Sequence, residues 1–341
     1  MKMTKILKAS SLSLIVLYAI SLRAQPSAPT AVQQLQNFQQ NTEQQQPIIG
    51  LRAGGNAPET YTNENTDIGE QHILRVIPRP TMWEVVLDSR AFYTDNSTLS
   101  QRTANNPLTS SSVFVNTVSA AFAPTPYRLG VGRFAPTIGI SDQWWNYEGG
   151  PTPAGPVSKN DFNAQTAFVG AKYLLPENWM LFGNFNYTRI VQQPYYSVEF
   201  YHEFVPSAGV QKLFQISQNS LVSASLQTDY HFGSVIQPFT ATDSQDHWDG
   251  TFSIAYSWQP APKVVVQPYY SLTYAYYKFD TAGHNEILNT FGFSVAYYFT
   301  RWLSLQAFDN YDFKSSDDTT GSNQGYRAFD FGLDLTATFR F

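Results

Sequence analysis

The last 16 residues of the chain, Tyr326 to Phe341, alternate between apolar and polar positions. The apolar set is Phe329, Phe331, Leu333, Leu335, Ala337, Phe339 and Phe341, and the set between them is Ala328, Asp330, Gly332, Asp334, Thr336, Thr338 and Arg340. Successive side chains of a β-strand point to opposite faces, so this pattern predicts a strand with one apolar and one polar face. Its apolar face exceeds the usual strand length of about 5–6 residues and fits the roughly 9–11 residues that cross a bilayer.

The same alternation recurs in four upstream segments, which are Leu221 to Phe232, Thr251 to Trp258, Lys263 to Phe279 and Thr290 to Phe299. A single segment of this kind is weak evidence, because strands of membrane barrels carry a poor individual signal. Five segments that repeat the same pattern of apolar and polar faces together predict a membrane barrel. No apolar run after the N-terminal segment reaches the length of a spanning helix, which excludes a helical membrane protein.

The whole pattern predicts an all-β fold, a transmembrane antiparallel up-and-down β-barrel of about 12 strands. The predicted strands lie near residues 82–94, 111–123, 127–146, 163–175, 179–192, 196–215, 220–232, 249–258, 263–279, 286–299, 302–313 and 326–341. Short and long links alternate between them, as periplasmic turns and extracellular loops do. The fifth and sixth strands are interrupted by Pro194 and Pro206, which fit poorly in a β-ladder, so counts of 10 or 14 stay open.

The N-terminal region divides into two further parts. Residues 1–24 carry Lys2, Lys5 and Lys8 ahead of the apolar run from Leu12 to Leu22, which predicts a secretory signal peptide cleaved after about Ala24. The alternative is a membrane anchor. Residues 25–80 are rich in Gln and Pro at first and favour a disordered periplasmic lead-in, with a helical turn or two, or a small plug in the lumen. Residues 81–341 form the predicted barrel.

Composition and charge narrow the class of function. Charged residues make up only 14% of the chain, against about 25% in soluble domains, and cysteine is absent. Loss of residues 1–24 removes 4 of the 21 basic residues, which leaves 17 against 26 acidic ones and a formal charge of −9. This balance argues against a nucleic-acid partner. Many acids fall in predicted loops and suggest a weak preference for cations, for example Asp243, Asp246, Asp249, Asp317 and Asp318.

The signal-like N-terminus, the aromatic alternating strands and the closing Thr338-Phe339-Arg340-Phe341 resemble bacterial outer-membrane β-barrel proteins. The resemblance covers about residues 82–341 and concerns architecture. It implies a place in the cell outer membrane, with outer-membrane lipid, the secretion machinery and the barrel-assembly machinery as partners. Phe339 and Phe341, in an aromatic last strand, resemble the signal that this assembly machinery reads.

The predicted inward positions carry a small set of charges: Glu84, Asp88, Arg90, Lys172, Asp229, His231, Asp330, Asp334 and Arg340. Closure of the barrel requires the first and last strands to pair, which brings Arg90 near Asp330 and Asp334, and Arg340 near Glu84. Such a cluster either satisfies charges that would be costly in a narrow lumen or forms a constriction that sets ion preference. Both interpretations stay open.

The sequence predicts a narrow channel for small hydrophilic solutes or ions. A barrel of about 12 strands is wider than the filled barrels of 8 strands and narrower than open porins, although inward Tyr269 and Phe308 would obstruct it. The main alternative is a non-conducting structural or surface-interaction barrel. A hydrolase is a third, weaker alternative, since only Asp229-Tyr230-His231 resembles an omptin-type motif. We expect no enzyme activity, no cofactor and no metal site, because the spacings of such sites do not occur.

Overall fold

The computed structural model describes residues 28–45, 82–99, 109–149, 151–152, 155–156, 161–193, 198–236, 246–278, 283–318 and 325–341. The predicted signal peptide and residues 46–80 of the lead-in lie outside this part of the chain. Among the residues so described, no helix combines the length and hydrophobicity that crossing a bilayer would require.

The barrel wall is one antiparallel sheet that closes on itself. The described strands are β1 (Trp83–Thr94), β2 (Ser111–Phe122), β3 (Tyr127–Leu129), β4 (Gly132–Glu148), β5 (Pro151–Thr152), β6 (Gly155–Pro156), β7 (Phe162–Leu174), β8 (Trp179–Gln192), β9 (Glu199–Ser217), β10 (Ser220–Val235), β11 (His247–Ala261), β12 (Val264–Tyr277), β13 (His284–Tyr298), β14 (Leu303–Ser316) and β15 (Tyr326–Arg340). All of these except β3, β5 and β6 form a wall of 12 strands, in which β1 pairs with β15. The predicted fold class and strand count are therefore confirmed.

Two details of the wall differ from the sequence-based expectation. The single strand predicted for residues 127–146 is a short β3 and a long β4, joined by a turn at Gly130, whose φ is +56°. Glycine adopts this left-handed conformation without steric cost. Pro206 lies within β9, and the β9–β10 pairing steps from Ser207–Asp229 to Phe204–Phe232. The missing N–H of proline thus interrupts the ladder without ending the strand.

The outward face of the wall is largely apolar, apart from a few polar side chains such as Asp142, Gln165 and Arg189, and aromatic side chains border it at both ends. At the end of the wall with the short links, which the sequence predicts to be periplasmic, the exposed aromatic residues are Trp83, Tyr127, Trp179, Trp258 and Trp302. At the end with the long links, predicted to be external, they are Tyr93, Trp248, Tyr276, Phe313 and Phe329. Aliphatic side chains such as Ile140, Leu226 and Ile254 are exposed between these two belts. Strands of 12 to 19 residues with this arrangement match a barrel that spans a bilayer.

The segment expected to be largely disordered contains an 18-residue helix, α1 (Ala28–Gln45). Val32, Leu35 and Phe38 lie on its buried face. They join a cluster of inward apolar side chains from the wall that includes Val113, Val115, Trp145, Tyr147, Phe162, Ala164, Ile190, Phe200 and Tyr201. The interpretation of residues 28–45 as a linker with one or two helical turns was therefore wrong.

Polar contacts connect α1 to strands all around the wall. Near the external end, the Tyr147 hydroxyl donates to Gln34 Oε1 at 2.5 Å and Asn37 Nδ2 donates to the Tyr326 hydroxyl at 2.5 Å. At the other end of the helix, Gln45 Nε2 donates to Asn310 Oδ1 at 3.1 Å. Tyr147, Tyr326 and Asn310 lie on β4, β15 and β14. The helix therefore lies inside the barrel, along about 27 Å at 1.5 Å per residue.

Candidate functional site: the inner face of the barrel

Arg90 and Asp334 form a buried ion pair across the seam of the barrel. They are direct partners in the β1–β15 register, and Arg90 Nη2 lies 2.7 Å from Asp334 Oδ2. The Arg90 guanidinium also lies 4.6 Å from the ring centre of Phe38 on α1 and 4.7 Å from that of Phe308 on β14. Arginine suits this place because its flat, weakly hydrated guanidinium stacks on aromatic rings while it binds a carboxylate.

The other predicted seam residues extend toward the periplasmic end. Thr336 Oγ1 donates to Asp88 Oδ2 at 3.0 Å, one inward position from Arg90. Arg340 Nε donates to Glu84 Oε2 at 2.6 Å, and about half of the Arg340 side chain is exposed. An ion pair this open to solvent adds little stability.

Two predicted inward charges lie apart from these pairs. Asp330 was expected beside Arg90, but it lies opposite Thr94, closer to the external end. The pairing register of β1 and β15 is the reason, because it places Asp334 and not Asp330 directly opposite Arg90. Lys172 lies near the periplasmic end of β7, opposite Ala135 and Phe182, and is exposed.

A second charged group occupies the external half of the lumen. His231 and His247 are direct partners in the β10–β11 register, as are Asp229 and Asp249. Glu203, on β9, completes the group and lies 3.0 Å from His231 Nδ1. All five side chains are buried. The structure thus places Asp249 on the inner wall, whereas the sequence suggested that it belongs to a loop.

Four stacked rings follow this group around the inner wall. The ring centres of His231 and His247 are 4.2 Å apart, those of His247 and Tyr277 are 4.4 Å apart, and those of Tyr277 and His284 are also 4.4 Å apart. The planes of the first and last pairs are nearly parallel, at 4° and 6°. The stack spans β10 to β13.

The inward charged and polar side chains in the external half of the lumen, from Glu203 on β9 to Lys314 on β14, form a polar belt. Lys314 lies beyond the ring stack at one end of this belt. Its Nζ donates to Glu286 Oε1 at 2.7 Å, and both side chains are buried. Glu286 Oε1 also lies 3.4 Å from His284 Nε2, and Lys314 Nζ lies 5.5 Å from the Tyr326 ring centre. The external half of the lumen is therefore lined by fixed charges whose partners lie on neighbouring strands.

Sequence reasoning missed several residues of this belt: Glu203, His247, His284, Glu286 and Lys314. His247 lies outside the predicted strand 249–258, in the predicted loop that precedes it. The alternation of faces along the strand could have placed His247 on the inner wall. His247 and Asp249 continue the series of alternate residues Thr251, Ser253 and Ala255, which face inward.

Two carboxylates at the bases of external loops have shifted pKa values. Burial raises the pKa of Asp161, although the Tyr147 backbone N–H donates to its Oδ1 at 2.7 Å. Hydrogen bonds from the backbone and side chain of Asn285 lower the pKa of Asp317. Both carboxylates tie a loop to the rim of a neighbouring strand.

The free space inside the barrel is divided unevenly by α1. On the periplasmic side of the helix lies a cavity of about 350 Å³ lined by both seam ion pairs and by Gln143, Arg301 and Gln306. Beside the helix the spaces are much smaller, about 50 Å³ next to Phe38 and Arg90, and about 40 Å³ next to Gln36 and His247. Spaces of this size hold a few water molecules at most.

Comparison with known proteins bears on the fold. No protein-family model matches the chain, and no curated protein matches it. Among solved structures, it is similar to an outer-membrane channel from Pseudomonas putida F1, with a TM-score of 0.50 and 13% sequence identity over 79% of this chain and 99% of that one. The fold is that of bacterial outer-membrane β-barrels.

Two further solved structures are more distant. A KdgM porin in complex with disordered oligogalacturonate has a TM-score of 0.39 and 10% identity over 74% of this chain and 99% of that one. The translocator domain of the autotransporter NalP from Neisseria meningitidis has a TM-score of 0.40 and 13% identity, over 76% and 89%. At such identities a likeness concerns the fold, and function must be argued from the site.

Proposed function

We propose that the chain is an outer-membrane channel for small hydrophilic solutes and that α1 is a plug in its lumen. The observation that supports this proposal is a polar, charged inner wall that surrounds a helix whose polar contacts with the wall are made by Gln and Asn side chains. Hydrogen bonds of this kind exchange with water at a small net cost, about 0.5–1.5 kcal/mol each. A helix held in this way can leave the lumen more easily than one sealed by apolar contacts on all sides.

The apolar side of α1 supplies the opposing contribution. Leu35 is almost fully buried, and Phe38 packs edge-to-face on Trp145 with ring centres 4.8 Å apart. These contacts favour the closed lumen. The intact protein is therefore expected to conduct rarely, and a form without the helix is expected to conduct steadily.

The narrow spaces beside α1 favour the second candidate, a non-conducting structural or surface-interaction barrel. Among the residues that the structure describes, the cavities beside the helix measure about 50 and 40 Å³, which is too small for a solute larger than a few water molecules. The two candidates differ in whether the helix ever leaves the lumen.

We further propose that the chain is not an enzyme, because His231 and Asp229 are buried within the lumen, where a protein substrate cannot reach them.

Single-channel conductance in a planar bilayer tests the channel and the plug together. The forms to compare are the full mature chain, the same chain without residues 28–45, and the full chain with Leu35→Asp, which puts a carboxylate into the apolar cluster. Gln39→Asp is the matched control, since it adds the same charge at a half-buried position of the same helix. We expect steady conductance from the deletion and Leu35→Asp forms, and rare openings from the intact and control forms.

Other outcomes contradict separate parts of the proposal. Silence of the deletion form would contradict the channel and favour the non-conducting barrel. Equal conductance of the intact and deletion forms would contradict the plug and leave the channel. The reversal potential of the open form tests the predicted preference for cations.

Location and biogenesis complete the proposal. The apolar band between the two aromatic belts would contact outer-membrane lipid. Cleavage of residues 1–24 and recognition of Phe339 and Phe341 by the assembly machinery remain predictions. Both phenylalanines are exposed at the periplasmic end of the seam, where the Phe341 carbonyl accepts the backbone N–H groups of Met82 and Trp83. Membrane fractionation and N-terminal sequencing of the exported protein check the location and the cleavage.

A further inference from the structure

Three potential metal ligands meet on the inner wall, on two neighbouring strands. His231 on β10 is directly opposite His247 on β11, and Asp249 is the next inward residue after His247. His231 Nε2 lies 3.6 Å from Asp249 Oδ2, and His247 Nε2 lies 3.6 Å from Asp249 Oδ1. Each residue offers one potential ligand atom, and these three atoms lie within 4.8 Å of one another. All three side chains are buried.

These separations fit a shared metal ion better than direct hydrogen bonds. A nitrogen–oxygen distance of 3.6 Å is too long for a hydrogen bond. Around a tetrahedral metal with bonds of roughly 2.0–2.1 Å, two ligand atoms lie roughly 3.4 Å apart. Asp249 Oδ1 is buried and has no hydrogen-bond partner among the described residues, and a buried carboxylate oxygen without one is costly. A cation between the three side chains would remove that cost.

Glu203 orients His231 for this role. Its Oε2 lies 3.0 Å from His231 Nδ1 and accepts a hydrogen bond from the Tyr201 hydroxyl, also at 3.0 Å. When His231 Nδ1–H donates to Glu203, the Nε2 lone pair faces Asp249. Metal-ligating histidines are commonly held by a carboxylate in this way, which fixes the tautomer and raises the basicity of the ligating nitrogen. The His231 and His247 rings are stacked with their planes 4° apart. Binding of one ion by both Nε2 atoms therefore requires the His247 ring to turn about its side-chain bonds, because an imidazole lone pair lies in the plane of its ring.

We infer that His231, His247 and Asp249 bind a divalent transition-metal ion in the external half of the lumen, with Glu203 as the positioning residue. Two imidazoles and one carboxylate suit Zn²⁺ and related ions, whereas Ca²⁺ and Mg²⁺ prefer oxygen ligands alone. The cavity of about 40 Å³ beside His247 and Asp249 has space for a water molecule as a fourth ligand. This site replaces the sequence-based expectation that the chain binds no metal, and it does not depend on conduction.

The sequence hides such a site because its ligands do not form a local motif. His231 and His247 are separated by the external link between β10 and β11, and only the strand register brings them together. The His-x-Asp pair at His247 and Asp249 is local, but two residues at this spacing are common on any strand with one polar face.

Metal titration of the full mature chain tests the inference. The protein is refolded in detergent without a polyhistidine tag, treated with a chelator and dialysed, and then titrated with Zn²⁺ by calorimetry and with Co²⁺ by absorption spectroscopy. We expect one ion per chain, a Kd of about 1 μM or below, and the ligand-field bands of a four-coordinate Co²⁺ site. Absence of saturable binding of either ion in this wild-type protein would overturn the inference.

Variants test which residues hold the ion. His247→Ala and Asp249→Asn are each expected to weaken binding by at least about 100-fold, and Glu203→Gln by about 10–100-fold. The matched control is His284→Gln, which changes the histidine at the other end of the same ring stack and should bind as the wild type does. Unchanged binding in His247→Ala, or loss of binding in His284→Gln, would overturn the assignment. Heat-modifiable migration on gels identifies variants that have not folded, and the wild-type titration does not depend on them.

Discussion

At the scale of single residues, the two seam ion pairs have the same chemistry in different surroundings. Arg90 and Asp334 are almost completely buried, whereas about half of the Arg340 side chain and about a third of the Glu84 side chain are exposed to solvent. Removal of one partner from a buried pair leaves an uncompensated charge, which typically costs about 3–5 kcal/mol. Removal of one partner from an exposed pair typically costs less than about 1 kcal/mol. The burial of each ion pair, and not its nitrogen–oxygen distance alone, therefore decides how much the pair contributes to stability.

Arg90→Ala is expected to lower the free energy of unfolding by about 3–5 kcal/mol, because it leaves the Asp334 carboxylate buried without its partner. Urea unfolding in lipid vesicles, followed by tryptophan fluorescence, measures the change. Arg340→Ala is the control and should lower the free energy of unfolding by less than about 1 kcal/mol. The double variant Arg90→Ala/Asp334→Ala should recover part of the loss, and equal losses for both single variants would contradict this account.

How much of the inner wall could be predicted depends on each residue's place in its strand. Antiparallel closure of the first and last strands predicts that Arg90 faces the last strand, and the register then selects Asp334 over Asp330. His247 and His284 lie just outside the predicted strands 249–258 and 286–299, because strand ends next to external loops have no sharp sequence boundary. The ring stack depends on pairing between four strands, which a single sequence does not specify to the residue.

At the scale of elements, inward aromatic rings lie over glycines of the next strand. Tyr269 is the direct partner of Gly292, Phe182 of Gly209, and Phe168 of Gly139. A Cβ atom at any of these glycines would overlap the ring of its partner. The glycines therefore leave space for bulky rings to lie flat on the wall, which keeps room for α1 in the lumen.

Gly292→Ala is expected to lower the free energy of unfolding by about 1–3 kcal/mol, the usual cost of an extra methyl group in a packed site. The added Cβ would displace Tyr269, whose hydroxyl accepts a hydrogen bond from Gln45 Nε2 at 3.2 Å. Urea unfolding in vesicles measures the change. The matched control is Gly183→Ala, where the nearest atom to the new Cβ is 3.5 Å away, an ordinary contact distance. Similar losses in both variants would show that glycine flexibility, and not space, matters.

The helix α1 was missed for a physical reason. Its sequence is rich in Gln, its mean hydropathy is low, and its apolar side chains number only a few in 18 residues. Isolated helices of this length are marginal in water, and most helical stability in proteins comes from packing. Val32, Leu35 and Phe38 are spaced for one helical face, but the inner wall that they pack against comes from strands far along the chain.

At the scale of the whole molecule, the fold could be predicted from the sequence because the strands of a membrane barrel repeat the same alternation of apolar and polar side chains. Wall strands turn mostly apolar side chains toward lipid and can turn polar ones toward the lumen. Phe252, Ile254 and Tyr256 obey this rule in β11, and so do Phe329, Phe331 and Leu333 in β15. Strand count and direction follow from that repetition, whereas the contents of the lumen follow from no such rule.

The lipid-facing rule makes a prediction that depends on depth in the bilayer. Leu226 is exposed near the middle of β10, and Ile216 is exposed near the periplasmic end of β9. Leu226→Lys should lower the free energy of unfolding in lipid vesicles by about 2–4 kcal/mol, and Ile216→Lys by about 0–1 kcal/mol. Both substitutions add the same charge to the outer face, so the difference isolates burial in hydrocarbon. If detergent micelles replace the bilayer, the two losses should converge, because a micelle adapts its thickness around a charge. Equal losses in vesicles would contradict the assignment of this face to lipid.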